Sequence, residues 1–235
     1  VEAGCEYAVM EVSSQGIKMH RTDGLYFNYA IFTNISPDHI GPGEHADFEE
    51  YLYYKTRLLN MCGIGLVNKD DKHAPQIIKA ANCELYTYSE ESKEADFVAS
   101  DIRYVSQPDF VGTEFHISGK YDMEVRLGIP GLFNVVNALA AVSVCSFLGL
   151  DQARISHALE NIRVNGRMEI VYTSERCTVL VDYAHNAVSM ESLLSTLRDY
   201  KPKRLVCVFG CGGNRSKDRR YSMGEIGGKM ADLSI

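Results

Sequence analysis

The chain has no tryptophan and only six prolines in 235 residues, and it carries no run long enough to span a membrane as a helix. Such a span needs ~18–20 consecutive apolar residues, and the longest candidate, 138–150, is too short and is interrupted by Ser143 and Ser146. Positive charge is not in excess: the net charge is −7, which argues against a general nucleic-acid binder. It does not exclude an anionic ligand, because local donors and a metal decide that. The seven cysteines (5, 62, 83, 145, 177, 207 and 211) are odd in number and include no C-x-x-C pair, so no disulfide framework is expected. They read as reduced core residues of a cytoplasmic protein, and the opening residues do not read as a secretory signal. Two phosphate-binding fingerprints are also missing: there is neither a G-x-G-x-x-G turn nor a G-x-x-x-x-G-K-[ST] loop.

What is present is an ordinary globular composition, 46% hydrophobic and 23% charged, enough for one large domain or two smaller ones. Two short apolar stretches stand out. Tyr7-Ala8-Val9-Met10 reads as a buried strand ending on Glu11, Ser13 and Ser14. Tyr29-Ala30-Ile31-Phe32 reads as a second, ending on Thr33, Asn34, Asp38 and His39. In open α/β sheets, ligands sit beyond the carboxyl ends of strands, so Glu11 and His39 delivered to one edge are candidate divalent-cation ligands. Residues 14–28 read as polar and irregular, and 41–45 as a Gly/Pro loop.

Asp47 is a candidate N-cap, with Glu49 and Glu50 in the first turn, where the helix dipole favours acids. The helix predicted over 48–61 carries Phe48, Tyr51, Leu52, Lys55, Leu58 and Leu59 on one face by i, i+3, i+4 spacing. Taken alone, Lys55 in that stripe is a lysine whose stem packs while its amine reaches solvent. A strand is predicted over 63–68, a helix over 74–82 and a strand over 84–88. The β-rich stretch 97–127 contains a hairpin about Ser118-Gly119-Lys120.

A long helix is predicted over 132–148, with Asn134 and Asn137 near its start, as caps or as free amides for a ligand; a shorter helix covers 151–160. Asn165-Gly166-Arg167-Met168 reads as a boundary, giving domains over 1–165 and 166–235. Beyond it, strands at 169–172 and 178–181 lead into Asp182-Tyr183-Ala184-His185-Asn186, a helix over 190–197 and a strand over 205–209. That strand runs into Gly210-Cys211-Gly212-Gly213-Asn214-Arg215, a Gly-rich turn of the kind that marks an anion- or nucleotide-binding edge.

Seven blocks in order resemble the Mur ligase family: Met10–Ser14; Phe32-Thr33-Asn34 with Asp38-His39; the helix around Lys55; Phe133-Asn134 with 137–141; Gly166–Glu169; Asp182–His185; and 210–213 with Arg219-Arg220 and Met223-Gly224. The resemblance implies an α/β fold. It would be the later half of a central ATP-binding ligase domain, mainly parallel sheet with helices plus a small β-rich subregion, followed by the start of a Rossmann-like C-terminal domain. It further implies an ATP-dependent ligase of peptidoglycan precursor synthesis that adds the third stem-peptide residue, diaminopimelate or lysine, to UDP-MurNAc-L-Ala-D-Glu through an acyl phosphate.

By the same resemblance, Glu11, His39 and Lys55 match the magnesium site, Lys55 as a carbamate formed with carbon dioxide. Burial favours the neutral amine which that chemistry needs. Asn137, with Asn134, matches the adenine contact, Arg167 the phosphate contact and Asp182, with His185, the ribose contact. Ser13, Arg21 and Asn34 match contacts to the UDP-sugar-peptide, and Arg215 a contact to the incoming amino acid. Met19 stands where the family often has Gln, and Asn214 where Asp is common.

Both ends look cut, so a piece of a longer protein is expected, with a UDP-binding domain and phosphate loop upstream and an amino-acid-selecting motif downstream. That piece is expected to be inactive alone and monomeric. Competing readings are another ligase of the superfamily, such as a folylpolyglutamate synthase or a cyanophycin-synthetase-like protein, and a non-catalytic binding module.

Overall fold

The computed structural model describes residues 4–37, 40–41, 43–107, 109–211 and 217–235. The chain divides into two units, Val1–Val98 with Leu139–Val144, and Ala99–Ala138 with Cys145–Ile235.

The first unit is built on β1 (Phe27–Phe32), β2 (Cys62–Asn68) and β3 (Glu84–Ser89). These are parallel neighbours, with Ala30 opposite Gly65 and Gly65 opposite Leu85. Parallel strands are covered on both faces, and the central strand β2 accordingly reads as an almost unbroken run without charge, whereas β3 carries Glu84, Thr87 and Ser89. Helix α2 (Phe48–Thr56), continued by a 3-10 turn over Arg57–Asn60, joins β1 to β2, and α3 (Ala74–Ala80) joins β2 to β3. Tyr51, Leu52 and Leu59 pack with Ala30, Phe32, Val67 and Ile77 in one core. Gly65 permits this packing: a Cβ there would lie 2.8 Å from Leu85 Cδ2 and 2.9 Å from Cys83 Sγ. Tyr88 is fully buried, and its hydroxyl donates to Phe32 O at 3.0 Å, reaching from β3 to the end of β1.

β4 (Phe97–Gln107) pairs its first two residues with β3 and then enters the second unit, where β5 (Phe110–Gly119) and β6 (Met123–Leu127) follow as neighbours in order. β5 and β6 are antiparallel, and Gly119, at φ +100°, takes the turn. Helices α4 (Leu132–Phe147) and α5 (Gln152–Glu160) come next. An antiparallel pair, β7 (Glu169–Thr173) and β8 (Thr178–Val181), leads to α6 (Ala187–Asp199). β9 (Val206–Cys207), α7 (Lys217–Met230) and β10 (Leu233–Ser234) form a parallel βαβ unit. Tyr200, just after α6, donates to Gly112 O at 3.0 Å, accepts from Gly131 N at 3.3 Å and lies 3.1 Å from Thr113 Oγ1, tying the end of α6 to β5.

Four expectations are corrected. Tyr7–Met10 is not a strand: Tyr7, Val9 and Met10 are exposed, and no strand among the described residues pairs with them. A strand's backbone groups need a neighbour, which an apolar run does not itself supply. The stretch 14–28 is not wholly irregular, because Ser13 caps a short helix, α1 (Ser14–Lys18), by accepting from Gly16 N. The strand predicted over 205–209 shrinks to Val206–Cys207. All seven cysteines are free, but Cys5 and Cys177 are exposed rather than core. No helix is long and apolar enough to cross a membrane among the described residues.

Candidate functional site

At the carboxyl end of β1 the chain turns through 33–37, and here the first group of candidate residues meets. The half-buried Lys55 of α2 donates from Nζ to Asn34 O at 2.7 Å. Its Nζ lies 5.7 Å from the Phe32 ring centroid and 5.6 Å from that of Tyr51. Burial lowers the pKa of this amine, and the negative charge of Asp71 opposes the shift. The turn itself is held from β2's exit: Ile35 N donates to Asp71 Oδ2 at 2.8 Å. Asp71 also lines a cavity of ≈ 440 Å³ with Lys69, Asp70, Lys72 and Glu91. Asn34 is exposed, and His39 lies outside the described residues.

The Ser13 hydroxyl is engaged as the cap of α1, while Glu11 and Arg21 are exposed. Helix α1 is clamped to the segment leading into α2. Ser14 Oγ lies 2.9 Å from His45 Nε2, and both side chains are buried. Lys18 Nζ donates to Glu50 Oε2 at 2.9 Å and to Glu44 O at 2.9 Å. Asp47 caps α2 as expected, accepting from Glu50 N at 2.8 Å. Sequence reasoning missed His45, Lys18 and Glu50 as an interlocking set. A lone histidine after a Gly/Pro loop carries no sign of full burial. Among the described residues, no three His, Cys, Asp or Glu side chains gather as a metal-binding group.

In the second unit, Asp182 organises the turn at Gly166–Met168. Its Oδ2 accepts from Met168 N at 2.8 Å and its Oδ1 from Ala184 N at 2.8 Å. Met168 is buried, with a left-handed φ of +47°, a backbone state a side-chain-bearing residue keeps only when its surroundings fix it. The exposed Arg167 guanidinium sits 4.8 Å from the Tyr183 ring centroid, and the His185 ring lies 5.1 Å from the same ring. Arg167, Asp182 and His185 are thus brought together. Asn134 is buried and donates its side-chain amide to Pro130 O at 2.6 Å, whereas Asn137, one turn on, is exposed. Arg215 lies outside the described residues.

Comparison with known proteins covers the same ground. Residues 1–145 match the Mur ligase middle domain, and residues 166–235 match the Mur ligase glutamate ligase domain. The chain is 38% identical over 246 residues to a UDP-N-acetylmuramoyl-L-alanyl-D-glutamate--2,6-diaminopimelate ligase of Alkaliphilus oremlandii, covering all of this chain and 48% of that protein. It is 36% identical over 241 residues to the ligase of the same name from Caldanaerobacter subterraneus subsp. tengcongensis, with the same coverage. A solved structure of a ligase of that name superposes with a TM-score of 0.79 at 29% identity, covering 99% of this chain and 48% of that one. The chain spans about half the length of the curated relatives it matches. On the two matched domains and the identity along its whole length, the chain belongs to the Mur ligase family.

Proposed function

We propose that the chain is part of a cytoplasmic, monomeric, ATP-dependent ligase that joins 2,6-diaminopimelate to UDP-N-acetylmuramoyl-L-alanyl-D-glutamate. The observation that carries this reading is the likeness, over the whole chain, to ligases of that name. It is supported by the half-buried amine of Lys55 at the carboxyl edge of the parallel strands.

In the first half-reaction a substrate carboxylate oxygen attacks the γ-phosphorus of ATP. An O–P bond forms, the bond to the ADP oxygen breaks, and an acyl phosphate and ADP result. In the second, the amine of diaminopimelate attacks the acyl carbon, phosphate leaves with the former carboxylate oxygen, and the amine gives up a proton.

Each residue has one task in this scheme. Lys55 is an amine whose burial favours the neutral form, which can add to carbon dioxide through Nζ with loss of a proton. The donor set of Glu11, His39 and the Lys55 carbamate, carboxylate-like oxygens with one imidazole, suits a magnesium ion, which when bound would neutralise charge on the phosphates. Ser13, Arg21 and Asn34 orient the UDP-sugar-peptide. Asn137, with Asn134 behind it, takes the adenine, Asp182 with His185 the ribose, and Arg167 the phosphates, since a guanidinium fork matches phosphate geometry. Arg215 receives the carboxylate of the incoming amino acid.

The test is phosphate release from ATP by the full-length protein, with the UDP-sugar-dipeptide and either diaminopimelate or lysine. Release that needs both the dipeptide and diaminopimelate is expected. Release with lysine alone would overturn the choice of amino acid, and no dependence on the dipeptide would overturn the ligase assignment.

A further inference from the structure

β2 lies between β1 and β3, and one residue after its end come two adjacent carboxylates that serve opposite neighbours. Asp70 holds the exit of β3: it accepts from the Ser89 hydroxyl and from Glu90 N at 2.9 Å. Asp71 holds the exit of β1, accepting from Ile35 N at 2.8 Å. Both carboxylates stand in the turn that follows β2, where Asp71 N donates to Asn68 O at 3.4 Å, so the reversal of the chain rather than strand alternation sends them to different neighbours.

We propose that Asp71 is a positioning residue for Lys55: its bond to Ile35 N–H fixes the 33–37 turn, and that turn presents the Asn34 carbonyl to the Lys55 amine. This inference rests on the role given to Lys55 above. Asp71 is itself rigidly placed. Its Oδ1 accepts from His73 N at 2.8 Å, and its backbone carbonyl accepts from Ala74 N at 2.9 Å, so the turn into α3 fixes the carboxylate through Oδ1 and leaves Oδ2 for Ile35 N. Residues 33–36 have no strand or helix ladder of their own. Their backbone is held by the Asp71 bond and by the buried Ile35 side chain. Asn34 is the residue next to that anchor, and its carbonyl receives Lys55 Nζ at 2.7 Å. Lys55 has a long flexible stem, so where its nitrogen sits depends on the acceptor that meets it.

The experiment compares Asp71→Ala and Asp71→Asn in the full-length protein. Asn keeps an acceptor for Ile35 N–H but removes the charge, whereas Ala removes both. The first readout needs no catalysis: the rate at which trinitrobenzenesulfonate modifies Lys55, read by peptide mapping. Asp71→Ala should raise it by roughly tenfold as the amine leaves its acceptor, and Asp71→Asn, which removes the charge but keeps an acceptor, should raise it clearly less. The second readout is turnover. Asp71→Ala should lower kcat by roughly tenfold or more with KM for ATP within about twofold, and Asp71→Asn should restore kcat to within about threefold. An unchanged modification rate in Asp71→Ala, or an Asp71→Asn variant as impaired as Asp71→Ala, overturns the proposal. A parent protein with no ligase turnover would overturn the functional reading instead, and the modification rates would still decide the role of Asp71.

Discussion

Lys55 Nζ lies 2.7 Å from the carbonyl oxygen of Asn34, joining the last turn of α2 to the turn that leaves β1. The amine is half-buried against the rings of Phe32 and Tyr51, so it sits where a charged form is disfavoured, yet at the edge where parallel strands deliver ligand-binding residues. In the full-length protein, Lys55→Ala should lower kcat by about three orders of magnitude or more, as expected when a group that organises phosphoryl-transfer charge is removed. Lys55→Arg should not restore it, because a guanidinium stays charged and cannot add to carbon dioxide. Steady-state turnover near the parent value in either variant would exclude this role.

The bond from Tyr88 to Phe32 O makes a second prediction. The ring is fully buried, and burial pushes its hydroxyl pKa up, so the phenol stays neutral and acts as a donor. Tyr88→Phe keeps the ring but leaves a buried carbonyl without this partner, at a cost of about 1–2 kcal/mol. Urea unfolding should show a lower midpoint with an unchanged slope. An unchanged midpoint would mean that the bond contributes nothing to stability.

Glu90 makes stability depend on pH. Burial first, then the charges of Asp70 and Glu91, push its carboxyl from 4.5 up to about 7. A raised acid favours the folded state when protonated. Its contribution is therefore complete below pH 4.5 and is lost as pH rises through about 7. Because Glu90 is partly exposed, solvent screening holds the effect to about 1 kcal/mol. Glu90→Gln should flatten the fall in unfolding free energy between these pH values, and the parent and variant should differ most above pH 7. Parallel pH profiles would contradict this assignment.

Asp182 holds two backbone N–H groups, those of Met168 and Ala184. Asp182→Ala would leave both without this acceptor and free the left-handed Met168 turn beside Arg167. ATP affinity in the full-length protein should fall by about tenfold, equivalent to about 1.4 kcal/mol. Asp182→Asn, which keeps one acceptor, should lie between the two. Calorimetric titration with ATP checks the order, and equal affinity in all three proteins would remove Asp182 from the nucleotide site.

Much of the architecture was legible because parallel strands and amphipathic helices write themselves into apolar patterns. β1 appeared as the short apolar stretch Tyr29–Phe32, β2 and β3 as short strands at 63–68 and 84–88, α2 as a stripe behind an Asp cap, and the β5–β6 turn as a Gly-centred hairpin signal. Helix α1 did not, because five residues are too few for a helical period to show, and its start depends on one hydroxyl, Ser13. Tyr7–Met10 misled for the opposite reason: an apolar run shows what can be buried, not whether a partner strand lies beside it. Within the candidate site, Lys55 was visible as an anomaly in an apolar stripe. The staple from Asp71 to Ile35 was not, since the two residues are 36 apart and no spacing rule links the turns after adjacent strands.

The most direct test of the proposed chemistry follows one oxygen atom. The full-length protein is given ATP, diaminopimelate and UDP-N-acetylmuramoyl-L-alanyl-D-glutamate labelled with oxygen-18 in the carboxylate that becomes the amide. Mass spectrometry of the phosphate released then reports whether that carboxylate attacked phosphorus. Transfer of one labelled oxygen into phosphate for each amide formed is the predicted result. Amide formation with unlabelled phosphate would contradict an acyl phosphate and with it the mechanism proposed for this chain.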